Sequence, residues 1–176
     1  MKKSLYLWQF AGFLFTCIAG VLLHFLYDWS GQRLFVALFS AVNESIWEHM
    51  KLLLFPMFLF ALIQNEYSNE KYDNFWCAKL AAILTGLVLI PALYYTYTGA
   101  LGVFVDWVNI AVFFVSAAVS FLVEVKILNH DRGFCISPQL AEGILWILAL
   151  LFVWFTFMPP QIPLFQDPVS GLYGII

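Results

Sequence analysis

Nine residues, Asn43-Glu44-Ser45-Ile46-Trp47-Glu48-His49-Met50-Lys51, gather two carboxylates, an imidazole and an ammonium group in a short segment. Two carboxylates in different surroundings can divide the acid and base roles of a reaction. An imidazole can serve as acid, base or metal ligand near neutral pH. Glu44, Glu48, His49 and Lys51 are therefore the candidate catalytic groups, with Glu44 or Glu48 as general base and His49 or His24 as acid or ligand. No serine or cysteine nucleophile signature accompanies them. The segment stands out because the 176-residue chain is 63% hydrophobic and only 11% charged. Soluble domains carry about 25% charged residues, and an ionisable group inside a bilayer is a functional-site hypothesis by default.

His24 and Asp28 form an i, i+4 pair on one helical face and are the candidate metal ligands, completed by Glu44, Glu48 or Asp106. Mixed imidazole and carboxylate donors suit a divalent ion such as zinc, iron or manganese. Adjacent Glu48 and His49 do not have HExxH spacing. Tyr27, Asn43, Tyr97, Asp106, Asn109 and Asp167 are candidate substrate-binding residues, because the expected topology collects them at the same membrane face. At 100° per residue, Glu44, Glu48 and Lys51 fall within about 60° of each other, and His49 points about 100° away from Glu48. Three charged side chains facing lipid would cost roughly 8–10 kcal/mol, so that stripe must face protein, water or headgroups. A structural reading stands beside the chemical one: an ion-pair network at an interfacial helix start, with hydrogen-bonded histidines.

The elements that must position these groups are membrane helices. A span needs about 20 apolar residues, and five stretches qualify, at residues 5–27, 44–63, 75–95, 105–125 and 140–158. Residues 34–41 read as a short re-entrant or interfacial helix before the second span. The runs are apolar all round, without the alternation of barrel strands. The expectation is an all-α integral membrane protein: a five-helix bundle forming one domain over residues 1–176. Pro56 should kink the second span. The tail, residues 159–176, carries four prolines and should fold back over the bundle as a cap or lid.

Lys2, Lys3, Lys71, Lys79, Lys126 and Arg132 fall on one side of this topology and Arg33 on the other, which predicts the N-terminus inside and the C-terminus outside. The scattered basic residues and a net charge of −3 argue against nucleic-acid binding. Cys17, Cys77 and Cys135 are far apart and form no CxxC pair, so thiols in apolar helices are expected. The expected partner is the lipid bilayer, with a homo-oligomer or another membrane subunit left open.

The chain resembles, over nearly its whole length, a family of small bacterial multipass membrane proteins defined as a domain of unknown function. The resemblance rests on His24-Phe25-Leu26-Tyr27-Asp28-Trp29-Ser30-Gly31, on the nine-residue segment above, on Tyr95-Thr96-Tyr97-Thr98-Gly99 and on the tail from Pro159 to Gly174. It implies a multipass protein of a bacterial cytoplasmic membrane and brings no activity with it. The residues themselves point to a polar extracytoplasmic pocket acting on a lipid or small amphiphile by acid–base or metal-assisted chemistry. The alternatives are an ion-coupled carrier, and an accessory subunit whose polar stripe pairs with a partner helix.

Overall fold

The computed structural model describes residues 2–68, 72–129, 135 and 137–175. The chain forms α1 (Lys2–Trp29), α2 (Leu34–Ala37), α3 (Ile46–Ser68), α4 (Phe75–Leu101), α5 (Asp106–Leu128) and α6 (Pro138–Phe157), followed by a 3-10 turn at Pro163–Phe165. Five of these helices are long and apolar enough to cross a bilayer. The fold is the expected all-α five-helix arrangement, with α2 as the short segment before the second long helix. Several boundaries differ from expectation, and two of them bear on the site. Helix α4 runs on to Leu101, where Gly102 caps it in the left-handed conformation (φ 66°), a backbone state that glycine adopts without a Cβ penalty. Helix α3 begins at Ile46 rather than Glu44, and this shift decides where Glu44 points.

Helix α3 is the most enclosed of the five. It packs against α1, α4 and α6, and α4 pairs closely with α5. The core is aliphatic and aromatic, centred on Leu53, Leu54, Met57, Ile83 and Leu145. Pro56 lies inside α3 and Pro91 inside α4. Helix α1 crosses α5 closely where Phe13 meets Phe121 (ring centroids 6.2 Å apart). Toward the C-terminal end of α1 a cavity lies between the two helices. The tail folds back onto the same end. Phe165 packs at 4.6 Å on the Trp47 ring, which itself stacks on Phe152 at 3.9 Å.

Two expectations are corrected at the opposite end. Cys77 and Cys135 form a disulfide, with Cα atoms 5.5 Å apart, and only Cys17 is a buried free thiol among the described residues. The start of α4 and the segment before α6 meet through tertiary packing, across a sequence separation of 58, so spacing gave no warning of it. Lys79 is not an interfacial charge: it is fully buried and pairs with Glu124 at 2.7 Å. Of the other basic residues counted for sidedness, Lys71 and Arg132 lie outside the described residues, as do the side chains of Lys2 and Lys3. Disulfides persist in oxidising compartments, so the Cys77–Cys135 bond and the basic-residue count point to opposite sides for this end.

Candidate functional site

The site is built by the turn that precedes α3. The Asn43 side-chain carbonyl accepts from the Ser45 backbone N–H (2.8 Å), an Asx turn that fixes the chain just before the helix. Glu44 therefore sits off the helix, and its carboxylate turns back over the first turn of α3. One oxygen lies 3.4 Å from His49 Nε2 and the other 3.7 Å from His24 Nε2 on α1. The two imidazole rings are 5.2 Å apart. One donor atom from each of His24, Glu44 and His49 falls within 4.8 Å of the others, and all three residues are half-buried.

The tautomer of His49 follows from its other nitrogen. Nδ1 lies 2.9 Å from the Ser45 carbonyl, and a carbonyl only accepts, so Nδ1 carries the hydrogen. In the neutral ring Nε2 then presents a lone pair to the Glu44 carboxylate. Two electron-rich atoms at 3.4 Å call for positive charge between them, either a proton or a metal ion. An imidazole oriented by a backbone carbonyl is also the usual outer-shell arrangement of a metal-binding histidine.

The three side chains border a cavity of about 480 Å³, within the range of small-molecule sites. Gly20 and Phe25 of α1, Leu52 of α3 and Ile110 and Phe113 of α5 line it, with Val169 contributed by the tail. Its walls are mainly apolar, and its polar members are His24, Glu44, His49, Asp106 and Asn109. A small recess of about 30 Å³ beside it shares Glu44, His49 and Asn109 and adds Tyr94. Tyr97 donates its hydroxyl hydrogen to the Asn109 side-chain carbonyl, which sets the direction of the amide. Asp106 opens α5 and is exposed at the rim.

Glu48 and Lys51 project elsewhere. Their ion pair is 2.6 Å long and both side chains are buried. Lys51 Nζ also donates to the Ala37 carbonyl and to Thr156 Oγ1, each at 2.9 Å. The Thr156 hydroxyl lies 3.0 Å from Glu48 Oε1 and 3.1 Å from the Phe152 carbonyl. The Val42 N–H donates to Glu48 at 3.2 Å. All three ammonium hydrogens have acceptors, so the network is saturated. It ties the chain between α2 and α3 to the last turn of α6.

The remaining candidates divide in the same way. Tyr27 is buried against Ala37 and Val42, and its N–H donates to Ser40 Oγ at 3.0 Å. Asn43 donates to the Gly174 carbonyl at 2.7 Å, which anchors the tail. Asp28 is exposed and is not among the three clustered donors. Asp167 is buried in the tail and accepts from the Val169 and Ser170 N–H groups and the Ser170 hydroxyl. Burial pushes its carboxyl up, but hydrogen bonds from Ser170, Val169 and the Glu44 backbone outweigh this and hold it below the usual carboxylate value.

Thr156 and the buried group of Lys79, Glu124 and Gln9 were missed by sequence reasoning. A threonine in an apolar run carries little signal. Glu124 lies far along the chain from the clustered acids, yet a lone acid and a lone lysine within two spans are themselves a pairing signal.

The chain matches DUF6512, a family of unknown function, over residues 1–175 and belongs to it. No curated protein matches the chain. No solved structure matches it either.

Proposed function

We propose that this member of a family of unknown function uses His24, Glu44 and His49 as a divalent-metal or acid–base centre acting on an amphiphile drawn from the bilayer. The observation that carries the reading is the convergence of three donors from three separate elements beside a mainly apolar cavity. The amphiphile's chain lies along Phe25, Ile110 and Phe113, and its polar linkage lies against the three donors. Asn109 and Asp106 hold the headgroup, with Tyr97 orienting Asn109.

The chemistry is hydrolysis or group transfer at an ester-like linkage. Glu44 takes the proton of the attacking water or hydroxyl as the new bond forms, and the proton returns to the leaving oxygen as the old bond breaks. A bound divalent ion would polarise the linkage. His24, Glu44 and His49, the last oriented by the Ser45 carbonyl, would hold it, Glu44 then serving as a ligand in place of the base. Glu48 and Lys51 serve as positioning residues that fix the turn carrying Glu44. Following the basic-residue count rather than the Cys77–Cys135 bond, the protein is placed in a bacterial cytoplasmic membrane with the N-terminus inside and the cavity at the extracytoplasmic face.

The test is metal content and calorimetric titration of the purified full-length chain with zinc. The reading requires one equivalent bound in the wild type and its loss in both His24→Ala and His49→Ala. A wild type that binds none, or variants that bind as well, would remove the metal version. Retained activity toward lipid esters in Glu44→Gln would remove the acid–base version.

A further inference from the structure

The cavity beside the three donors is built in two levels. Three helices each contribute a polar residue with an apolar one a turn deeper. On α1 these are His24 and Gly20, on α3 His49 and Leu52, and on α5 Asn109 and Phe113. Residues three or four apart share a helix face, so the outer level is polar on all three walls and the inner level apolar. Along α5 the lining runs from Asp106 at the rim to Phe114 at the floor, about 12 Å of helix. That polarity and depth match an amphiphile with one apolar chain and its head at the rim.

The walls come from α1, α3 and α5, from the turn carrying Glu44, from Phe104 ahead of α5 and from Val169 of the tail. Helices α4 and α6 contribute none of the lining. Val21 and Phe25 on one edge and Ile110 on the other remain 43%, 44% and 57% exposed. Both α1 and α5 are spans that stay mostly unburied within the bundle. The gap between these two edges therefore faces the bilayer, and an apolar chain can enter it sideways.

The rim sorts heads by charge. Two carboxylates, Glu44 and Asp106, line the cavity, and no lysine or arginine does. Lys51 stands two residues after His49, but its ammonium is held by Glu48, the Ala37 carbonyl and Thr156. His24 and His49 both face Glu44, so any charge they carry is matched there. The start of α5 carries partial positive charge, and Asp106 in its first turn offsets it. A phosphate or carboxylate head is ordinarily met by arginine or lysine, and here it would meet carboxylates. An ammonium head would meet Asp106 and, two residues earlier in the same wall, the Phe104 ring. Ring faces attract cations.

We propose that the cavity selects an amphiphile with a single apolar chain and an ammonium head, and that Asp106 sets the preference. This rests on the reading that the cavity takes an amphiphile, and adds the sign of its head. The head stays at Asp106 and Phe104. The chain runs past Ile110 and Phe113 to Phe114, and the linkage between head and chain comes level with His24, Glu44 and His49.

The test is equilibrium binding of radiolabelled decyltrimethylammonium and decyl sulfate to the full-length chain in phosphatidylcholine nanodiscs. A chelator is present throughout, and uptake by empty nanodiscs is subtracted. The ammonium probe should saturate at one equivalent and bind at least about tenfold more tightly than the sulfate, because like charges placed together are costly. Asp106→Asn should narrow that preference by at least about threefold, the scale of a partly exposed ion pair, and Asp106→Lys should reverse it. Asp106 is exposed, so neither change disturbs the core. Ile110→Trp fills the cavity and should remove the saturable binding. A preference that survives both Asp106 variants, or saturable binding untouched by Ile110→Trp, would overturn the proposal. Saturable binding of both probes alike would remove the head preference and leave the amphiphile reading standing, whereas no saturable binding of either would remove both. Selectivity in a protein that binds no metal would remove only the metal version of the centre.

Discussion

Glu48 Oε2 lies 2.6 Å from Lys51 Nζ in a pair sealed from solvent, while the adjacent His49 faces the opposite way toward Glu44. One helical step thus separates a structural network from the candidate site. Removing one partner of a buried pair leaves an uncompensated charge, which costs about 3–5 kcal/mol. Lys51→Met should destabilise the protein by that amount in detergent unfolding, and Glu48→Gln with Lys51→Met by clearly less. A double variant whose loss equals the sum of the two single losses would mean that the pair is not coupled.

The tail turn should depend on pH. Asp167 has its carboxyl held below the usual carboxylate value in the folded protein by the hydrogen bonds of the turn. A depressed carboxylate contributes stability that is present above the ordinary value and lost as pH falls through the lower, folded one. Amide exchange protection of residues 166–173 should therefore hold at neutral pH and fall in acid, below the usual carboxylate value. Asp167→Asn should show low protection at both pH values. Protection that is the same in wild type and variant would exclude the carboxylate as the clasp.

The disulfide gives a chemical handle on sidedness. In the intact protein Cys77 and Cys135 should resist maleimide until a reductant is added, while buried Cys17 resists before and after. With a membrane-impermeant reagent on oriented vesicles, the side from which reduction exposes them identifies the compartment at that end. Labelling of Cys77 without reductant would show that the bond does not form in the membrane.

At Gly20, helix α1 comes close to the Phe113 ring of α5 and to the Leu52 carbonyl of α3. An added Cβ would fall 2.5 Å from Phe113 and 2.9 Å from the Leu52 carbonyl oxygen, closer than real contacts allow. Overpacking of this kind costs typically about 1–3 kcal/mol. Gly20→Ala should lower the melting temperature, whereas Gly143→Ala, with open space around it, should not. Equal behaviour of the two would mean that this contact is looser than described.

Much of the architecture was legible because apolar runs of bilayer length admit few alternatives to helices. The short segment before α3 was legible for the same reason: its run was too long for one span. The arrangement within the polar segment was only half legible. Helical angles separated His49 from Glu48, but they also grouped Glu44 with Glu48 and Lys51. The Asx turn at Asn43 starts α3 at Ile46 and releases Glu44 toward the histidines, and a projection that assumes continuous helix cannot register that. The Cys77–Cys135 bond was invisible for a different reason, and the Lys79–Glu124 pair was marked by residue type alone. Each joins elements far apart in sequence, with no spacing to mark the contact.

The central claim is that His24, Glu44 and His49 act as one donor set. Cobalt(II) added to the purified full-length chain reports on this directly, through the visible absorption of an ion held by nitrogen and carboxylate ligands. The account predicts a band that saturates at one equivalent and disappears in His24→Ala, in Glu44→Gln and in His49→Ala. A wild type with no band, or a band that survives any of the three substitutions unchanged, would contradict it.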